Sequence, residues 1–163
     1  IADQDPAQIL EVWHAYHANR VDYVGAGALT SAKYALLRDR MHRFPQFVLP
    51  LERDGGTEMF LAQFGNQKCA FTSLAEYQLH GEHSSPYSVV EFFPELMESK
   101  GMPLYRVRHD SQAVEAKDCG ELLSRIFDFY ILDEEKFKFV ETFNERPAQF
   151  DYTKLLEIVK EKE

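Results

Sequence analysis

Basic residues are the minority here: 18 Lys and Arg stand against 27 Asp and Glu, a formal net charge of -9. A field of that sign repels phosphate backbones and anionic lipid, so nucleic acid and membrane surfaces are excluded as ordinary partners. Cysteine is scarce. Cys69 and Cys119 lie far apart, with neither a C-x-x-C pair nor a zinc-ligand spacing, and each sits among apolar residues. Two buried, reduced thiols are expected rather than a disulfide framework. No apolar run reaches the roughly eighteen residues that a membrane-spanning helix needs.

The short motifs of catalysis are missing as well. There is no G-x-S-x-G elbow, and Ser73 reads as a helix cap rather than a nucleophile. The carboxylates are scattered, so no paired acid and base can be read out. Gly25-Ala26-Gly27 imitates the start of a dinucleotide loop, but the third glycine position holds Thr30 and no Lys-Ser or Lys-Thr follows. The segment Val21 to Leu29 is expected to be a flexible connection between two helices. His80 and His83 flank Gly81 and Glu82, and His14 and His17 share the first helix. Neither pair has the i, i+4 spacing of a helical zinc site. No cofactor or metal site and no catalytic residue is expected.

Large apolar side chains are present in quantity: 45% of residues are hydrophobic and 13% aromatic. A chain of 163 residues fits one domain, 1–163, with one core. The aromatic surplus leaves rings to spare for a protein interface.

The densest signals fall between Phe44 and Pro86. Phe47, Val48, Leu49 and Leu51 form an apolar run, and Asp54-Gly55-Gly56 supplies the positive φ angles of a short hairpin. From Thr57 to Phe64, Met59 and Leu61 alternate with Phe60, Ala62 and Phe64, so both faces of this strand are apolar and something must cover each. Cys69 to Thr72 is a third strand. Ser73 and Glu76 have the spacing of a capping box for a helix that turns Leu74, Tyr77 and Gln78 inward and stops near Gly81.

Around this module, Asp5-Pro6 caps a first helix with Ile9, Leu10, Trp13 and Tyr16 on one stripe. Thr30 or Ser31 starts a second, with Tyr34, Leu37 and Met41 inward and Lys33, Arg38, Arg40, His42 and Arg43 on a solvated face. Tyr87 to Phe93 and Pro103 to Arg108 read as strands, the latter placing Arg106 and Arg108 on one face. Three helices follow: Ala113 to Tyr130, Asp133 to Asn144 and Asp151 to Lys162, with a fraying end. The expected fold class is α+β: a single, mainly antiparallel sheet of about five strands with N-terminal and C-terminal helices packed on it.

Phe47-Val48-Leu49-Pro50-Leu51 with Arg53, Gly56, Glu58 and Gln63-Phe64, then Phe71-Thr72-x-Leu74-x-Glu76-Tyr77-Gln78-Leu79-His80, resembles the mitochondrial assembly-factor-1 family, chaperones that help build the F₁ sector of ATP synthase. The likeness continues through Phe92-Phe93-x-Glu95-Leu96, Lys100-Gly101, Glu115-Ala116 and Phe129-Tyr130, and Trp13 with Tyr16 matches an early Trp-x-x-Tyr. Glu52 departs from it, standing where a second proline is usual.

The resemblance implies a non-enzymatic chaperone of the mitochondrial matrix. Its client would be the unassembled F₁ β subunit, kept from aggregating until the α subunit replaces it. A monomer without membrane insertion is expected, and Ile1 is read as the start of a processed or trimmed chain whose transit peptide is absent. Partner binding is placed on the hairpin and its helix, at Leu49, Leu51, Arg53, Glu58, Gln63, Phe64, Tyr77 and His80. The alternatives are a small metal-dependent enzyme using the His80 to His83 region, or an adaptor for another protein.

Overall fold

The computed structural model describes residues 5–53 and 55–160. Six strands, β1 (Tyr23–Ala28), β2 (Gln46–Arg53), β3 (Gly56–Gly65), β4 (Lys68–Ser73), β5 (Ser88–Phe93) and β6 (Leu104–His109), form one sheet in the order β1-β6-β5-β4-β3-β2. Every pairing is antiparallel. The sequence places about five strands here. The sixth is β1, the glycine-containing segment expected to be a flexible connection. It forms because Gly27 lets the Tyr105 ring of β6 fold over the strand: a Cβ at Gly27 would stand 2.6 Å from the Tyr105 hydroxyl. Glycine here is a close-approach residue, not a hinge.

The expected hairpin is tight. Arg53 pairs with Gly56, and Gly55 takes a φ of 78°; Asp54 lies outside the described residues. The register sends Phe47, Leu49 and Leu51 to one face of the sheet with Phe60 and Ala62 opposite them. Val48 and Leu61 point the other way and are also buried. Both faces of this pair are therefore covered, as the two-sided apolar pattern demands.

Helices α1 (Pro6–Ala18), α2 (Ser31–Arg43), α3 (Leu74–His80), α4 (Met97–Lys100), α5 (Ala116–Phe127), α6 (Glu134–Glu145) and α7 (Tyr152–Lys160) surround the sheet. Their starts follow local chemistry. Asp5 and Gln8 close a reciprocal capping box on α1, Thr30 accepts from the Lys33 amide, and Asp133 accepts from the amides of Glu135 and Lys136. Ser73 does not cap α3 through its side chain. It is buried, with its hydroxyl turned toward the neighbourhood of Tyr87. Gln78, expected inward, is exposed.

The helix expected from Ala113 to Tyr130 ends at Phe127. Residues Asp128–Leu132 wind into a wider turn, closed by the Asp133 amide donating to the Asp128 carbonyl at 3.1 Å. That widening lets three successive side chains, Phe129, Tyr130 and Ile131, all be buried. Phe47 meets four rings there, with centroids at 5.3 Å (Phe129), 5.9 Å (Phe143), 6.0 Å (Phe150) and 6.4 Å (Tyr130). Three of these pairs are edge-to-face and the Phe129 pair is tilted, and such aromatic pairs add about 0.5–1.5 kcal/mol each beyond the area they bury. A smaller cluster of Ile9, Met102 and Leu104, with Trp13 and Phe93 against it, holds α1 to the opposite face. The Trp13 Nε1 donates to the Tyr105 carbonyl there at 2.8 Å.

Replacing Gly27 by Ala is expected to cost about 1–3 kcal/mol through overpacking against Tyr105, measured by urea unfolding. The Gly27→Ala, Tyr105→Ala double variant should lose less stability than the sum of the two single losses.

Burial raises the phenol of Tyr130 and the thiol of Cys69 well above their ordinary values of 10.0 and 9.0. The folded chain therefore holds these protons more tightly than the unfolded chain. The stability they contribute is fully present below pH about 9, and unfolding free energy should fall as pH rises beyond it, an alkaline loss readable from melts at stepped pH.

Candidate functional site

The eight residues expected to meet a partner divide by burial. Leu49 and Leu51 are 0% exposed and lie in the main core, where they offer no surface. The signal that placed them in a binding face, an apolar run beside a hairpin, is equally the signal of a strand covered on both sides.

Arg53 and Glu58 meet across the hairpin, Arg53 Nη1 donating to Glu58 Oε1 at 2.8 Å. Arg53 reaches further. Its Nη2 donates to the Ala113 carbonyl at 2.8 Å and its Nε lies 3.7 Å from the carboxylate of Asp118 on α5. With side chains 19% and 7% exposed, Arg53 and Asp118 form a largely desolvated pair that ties the hairpin to α5. Glu58 is half-buried beside it.

Tyr87 connects this tie to α3. Its ring packs on Phe60 at 5.6 Å, and burial, then the nearby carboxylates of Glu58 and Glu76, push its phenol up. Glu76 in turn lies 3.8 Å from His80 on the exposed side of α3, while Tyr77 packs partly against the core. Arg53, Glu58, Tyr77 and His80 thus belong to one neighbourhood.

Gln63 and Phe64 do not join them. They occupy the other end of β3, where Phe64 stacks on Tyr130 at 4.8 Å and lines a groove of about 300 Å³ with Arg38, Met41 and His42. Beside it Arg40, expected on a solvated face, is largely buried. It donates to the Tyr130 carbonyl and to both Glu134 oxygens, and covers Phe137 at 3.7 Å.

The histidine pairs bring no third ligand with them: among the described residues no three His, Cys, Asp or Glu side chains cluster closely enough to hold a metal ion. His17 is buried among the rings of Trp13, Tyr16 and Tyr23.

Two exposed apolar side chains, Leu79 and Val12, escape the sequence reading, and Tyr16, expected on the inward stripe of α1, is exposed as well. Leu79 on α3 is 78% exposed, one position before His80, and Val12 and Tyr16 on α1 are 44% and 53% exposed. The last two line a groove of about 370 Å³ with Ile9, Trp13, Leu104 and Arg106. Leu79 falls where the helical period turns Tyr77 inward, so its angle relative to Tyr77 is the available signal.

The pattern Phe47-Val48-Leu49-Pro50-Leu51, Arg53, Glu58 is therefore one hairpin tied to α5, and it lies inside the segment, residues 1–156, that matches the family model for ATP11 protein. The chain belongs to the ATP11 protein family. Over 157 residues it is 29% identical to ATP synthase mitochondrial F1 complex assembly factor 1 of Homo sapiens, covering 96% of this chain and 47% of that protein. It is likewise 29% identical over 157 residues to the factor of that name in Mus musculus. Over 136 residues it is 31% identical to Protein atp11, mitochondrial, of Schizosaccharomyces pombe, covering 80% and 47%. The chain spans about half the length of these curated relatives.

In this ATP11-family chain Arg53 is first a scaffold residue. Arg53→Ala strands Asp118 beside α5 and leaves Glu58 and the Ala113 carbonyl without their donor. Because the pair is not fully buried, the loss should fall at or below the low end of the roughly 3–5 kcal/mol seen for broken buried ion pairs, readable as a lowered urea midpoint.

Proposed function

We propose that this chain is an assembly factor for the mitochondrial F₁ sector of ATP synthase, acting in the matrix as a monomeric chaperone. Its client is the unassembled β subunit, which it covers until the α subunit takes its place. The observation that carries this reading is membership of the ATP11 family, whose matching relatives are named as F₁ complex assembly factors.

An orphan subunit exposes the apolar patch meant for its neighbour, and patches of that size drive self-association. A chain that covers such a patch needs about 800 Å² of complementary surface and a few anchors. It needs no catalytic group and no nucleotide. Protection follows by mass action, and release follows when the permanent neighbour competes for the same surface.

The client surface is the hairpin-end neighbourhood of α3. Leu79 and His80 project from it, Tyr77 supports it from beneath, and Glu58 and Arg53 form its polar border. Gln63 and Phe64 form a second, separate contact at the far end of β3. An exposed leucine beside a histidine on a helix held rigidly against β3 and β4 is the kind of anchor such a surface uses.

Light scattering of purified β subunit at rising chain concentration should show protection that saturates near one chain per client; full protection at a tenth of the client concentration would contradict holding. The Leu79→Asp, His80→Ala variant should bind β subunit about tenfold more weakly with an unchanged melting temperature, since neither side chain is core. Unaltered affinity would remove α3 from the surface.

A further inference from the structure

The two edges of the sheet are treated differently. On β2 two of the four outward positions, Gln46 and Pro50, are guarded. Asn144 of α6 pairs with Gln46 in both directions, its Oδ1 accepting from the Gln46 amide at 3.2 Å and its Nδ2 donating to the Gln46 carbonyl at 2.6 Å. Pro50 has no amide to offer, and Arg125 donates to its carbonyl. These devices keep an edge from recruiting another strand.

On β1 they are missing. The Leu29 amide donates to the Pro103 carbonyl across the β1–β6 pair, so alternation directs the amides and carbonyls of Gly25 and Gly27 toward β6 and those of Ala26 and Ala28 outward. Among the described residues no group hydrogen-bonds to that outward row. A bulge blunts the edge only between Tyr23 and Gly25, leaving four regular pairs from Gly25 to Ala28. The side chains there are no larger than methyl, so a second backbone can approach closely. Helix α1 packs the Ala28 side of the strand through Ile9 and Trp13, and Tyr105 covers the Gly27 side; the rim between them carries no lysine, proline or other guard.

We propose that β1 accepts an extended segment of the client by strand addition, the segment pairing with Ala26 and Ala28. This rests on the client reading above. The segment it accepts is acidic and apolar and is not a second copy of this chain. The groove beside the edge offers Val12 and Tyr16 with Arg106, and Arg20 stands over the Tyr16 ring at 4.3 Å; Arg106 shares the single Glu91 carboxylate with Arg108 and Lys68, so this face keeps an excess of positive charge. A second copy paired edge to edge would bring these arginines together. A contact of only two outward residues makes few hydrogen bonds, which suits a client that must be released.

Residue-resolved amide exchange by NMR, with and without purified unassembled F₁ β subunit, tests this. Ala26 and Ala28 should exchange freely alone and become protected about tenfold or more with β subunit bound. Ala26→Pro, which removes an outward donor and no ladder bond, should bind β subunit about tenfold more weakly at an unchanged melting temperature, while Ala26→Gly, which keeps the donor, keeps its affinity. Binding of β subunit with Ala26 and Ala28 still exchanging overturns strand addition and leaves the client reading standing. No binding of β subunit by the unaltered chain overturns both. Protection that grows with the concentration of the chain alone overturns the choice of a foreign segment.

Discussion

The constraint on which the structure depends is that β2 and β3 carry apolar side chains on both faces, so neither face can be left to water. Phe47, Leu49, Leu51 and Phe60 demand cover on one side; Val48 and Leu61 demand it on the other. The wide turn at Asp128–Leu132 meets the first demand by burying Phe129 and Tyr130, and Tyr130 fastens itself by donating to the Phe44 carbonyl at 2.7 Å. Arg53 and Arg125 then join sheet to helix α5 and the chain before it, and Arg40 joins α2 to the wide turn and α6, at points where backbone carbonyls and carboxylates would otherwise be stranded. A platform held at so many points is rigid, which lowers the ordering cost when its surface meets a partner.

Much of this was legible in the residues. The α+β class, the antiparallel sheet, the hairpin at Gly55-Gly56, the caps at Asp5 and Thr30 and the shared face of Arg106 and Arg108 all follow from local chemistry. Strand β1 was not legible, because glycine argues for flexibility until a ring from a distant strand is known to lie on it. Ser73 misled because a capping-box spacing does not say whether the hydroxyl turns toward a distant residue instead. Arg40 misled for a similar reason: a helix face rich in bases reads as solvated until Glu134, over ninety positions away, arrives beside it.

The site was harder still. Leu49, Leu51 and Arg53 were singled out because they carry the family pattern, yet they sit in the fold's interior or tie it together, and a pattern held by folding looks the same in one sequence as a pattern held by binding. Leu79 carries the opposite lesson, since an exposed leucine beside His80 belongs to the same motif and has no role in the core. The distribution of edges adds a third kind of information, visible only in the sheet order: one rim is guarded at Gln46 and Pro50 by Asn144 and Arg125, and the four regular positions of the other carry no such guard among the described residues.

These features describe a rigid scaffold with a polar and apolar rim, suited to occupying another protein's surface for a time. The account stands or falls on whether that occupation is exclusive. A purified complex of this chain with F₁ β subunit, titrated with α subunit and followed by size-exclusion chromatography with light scattering, measures it directly. The account predicts that the chain leaves as a free monomer in proportion to the α–β complex formed. A stable assembly containing all three proteins, or no initial complex with β subunit, would contradict it.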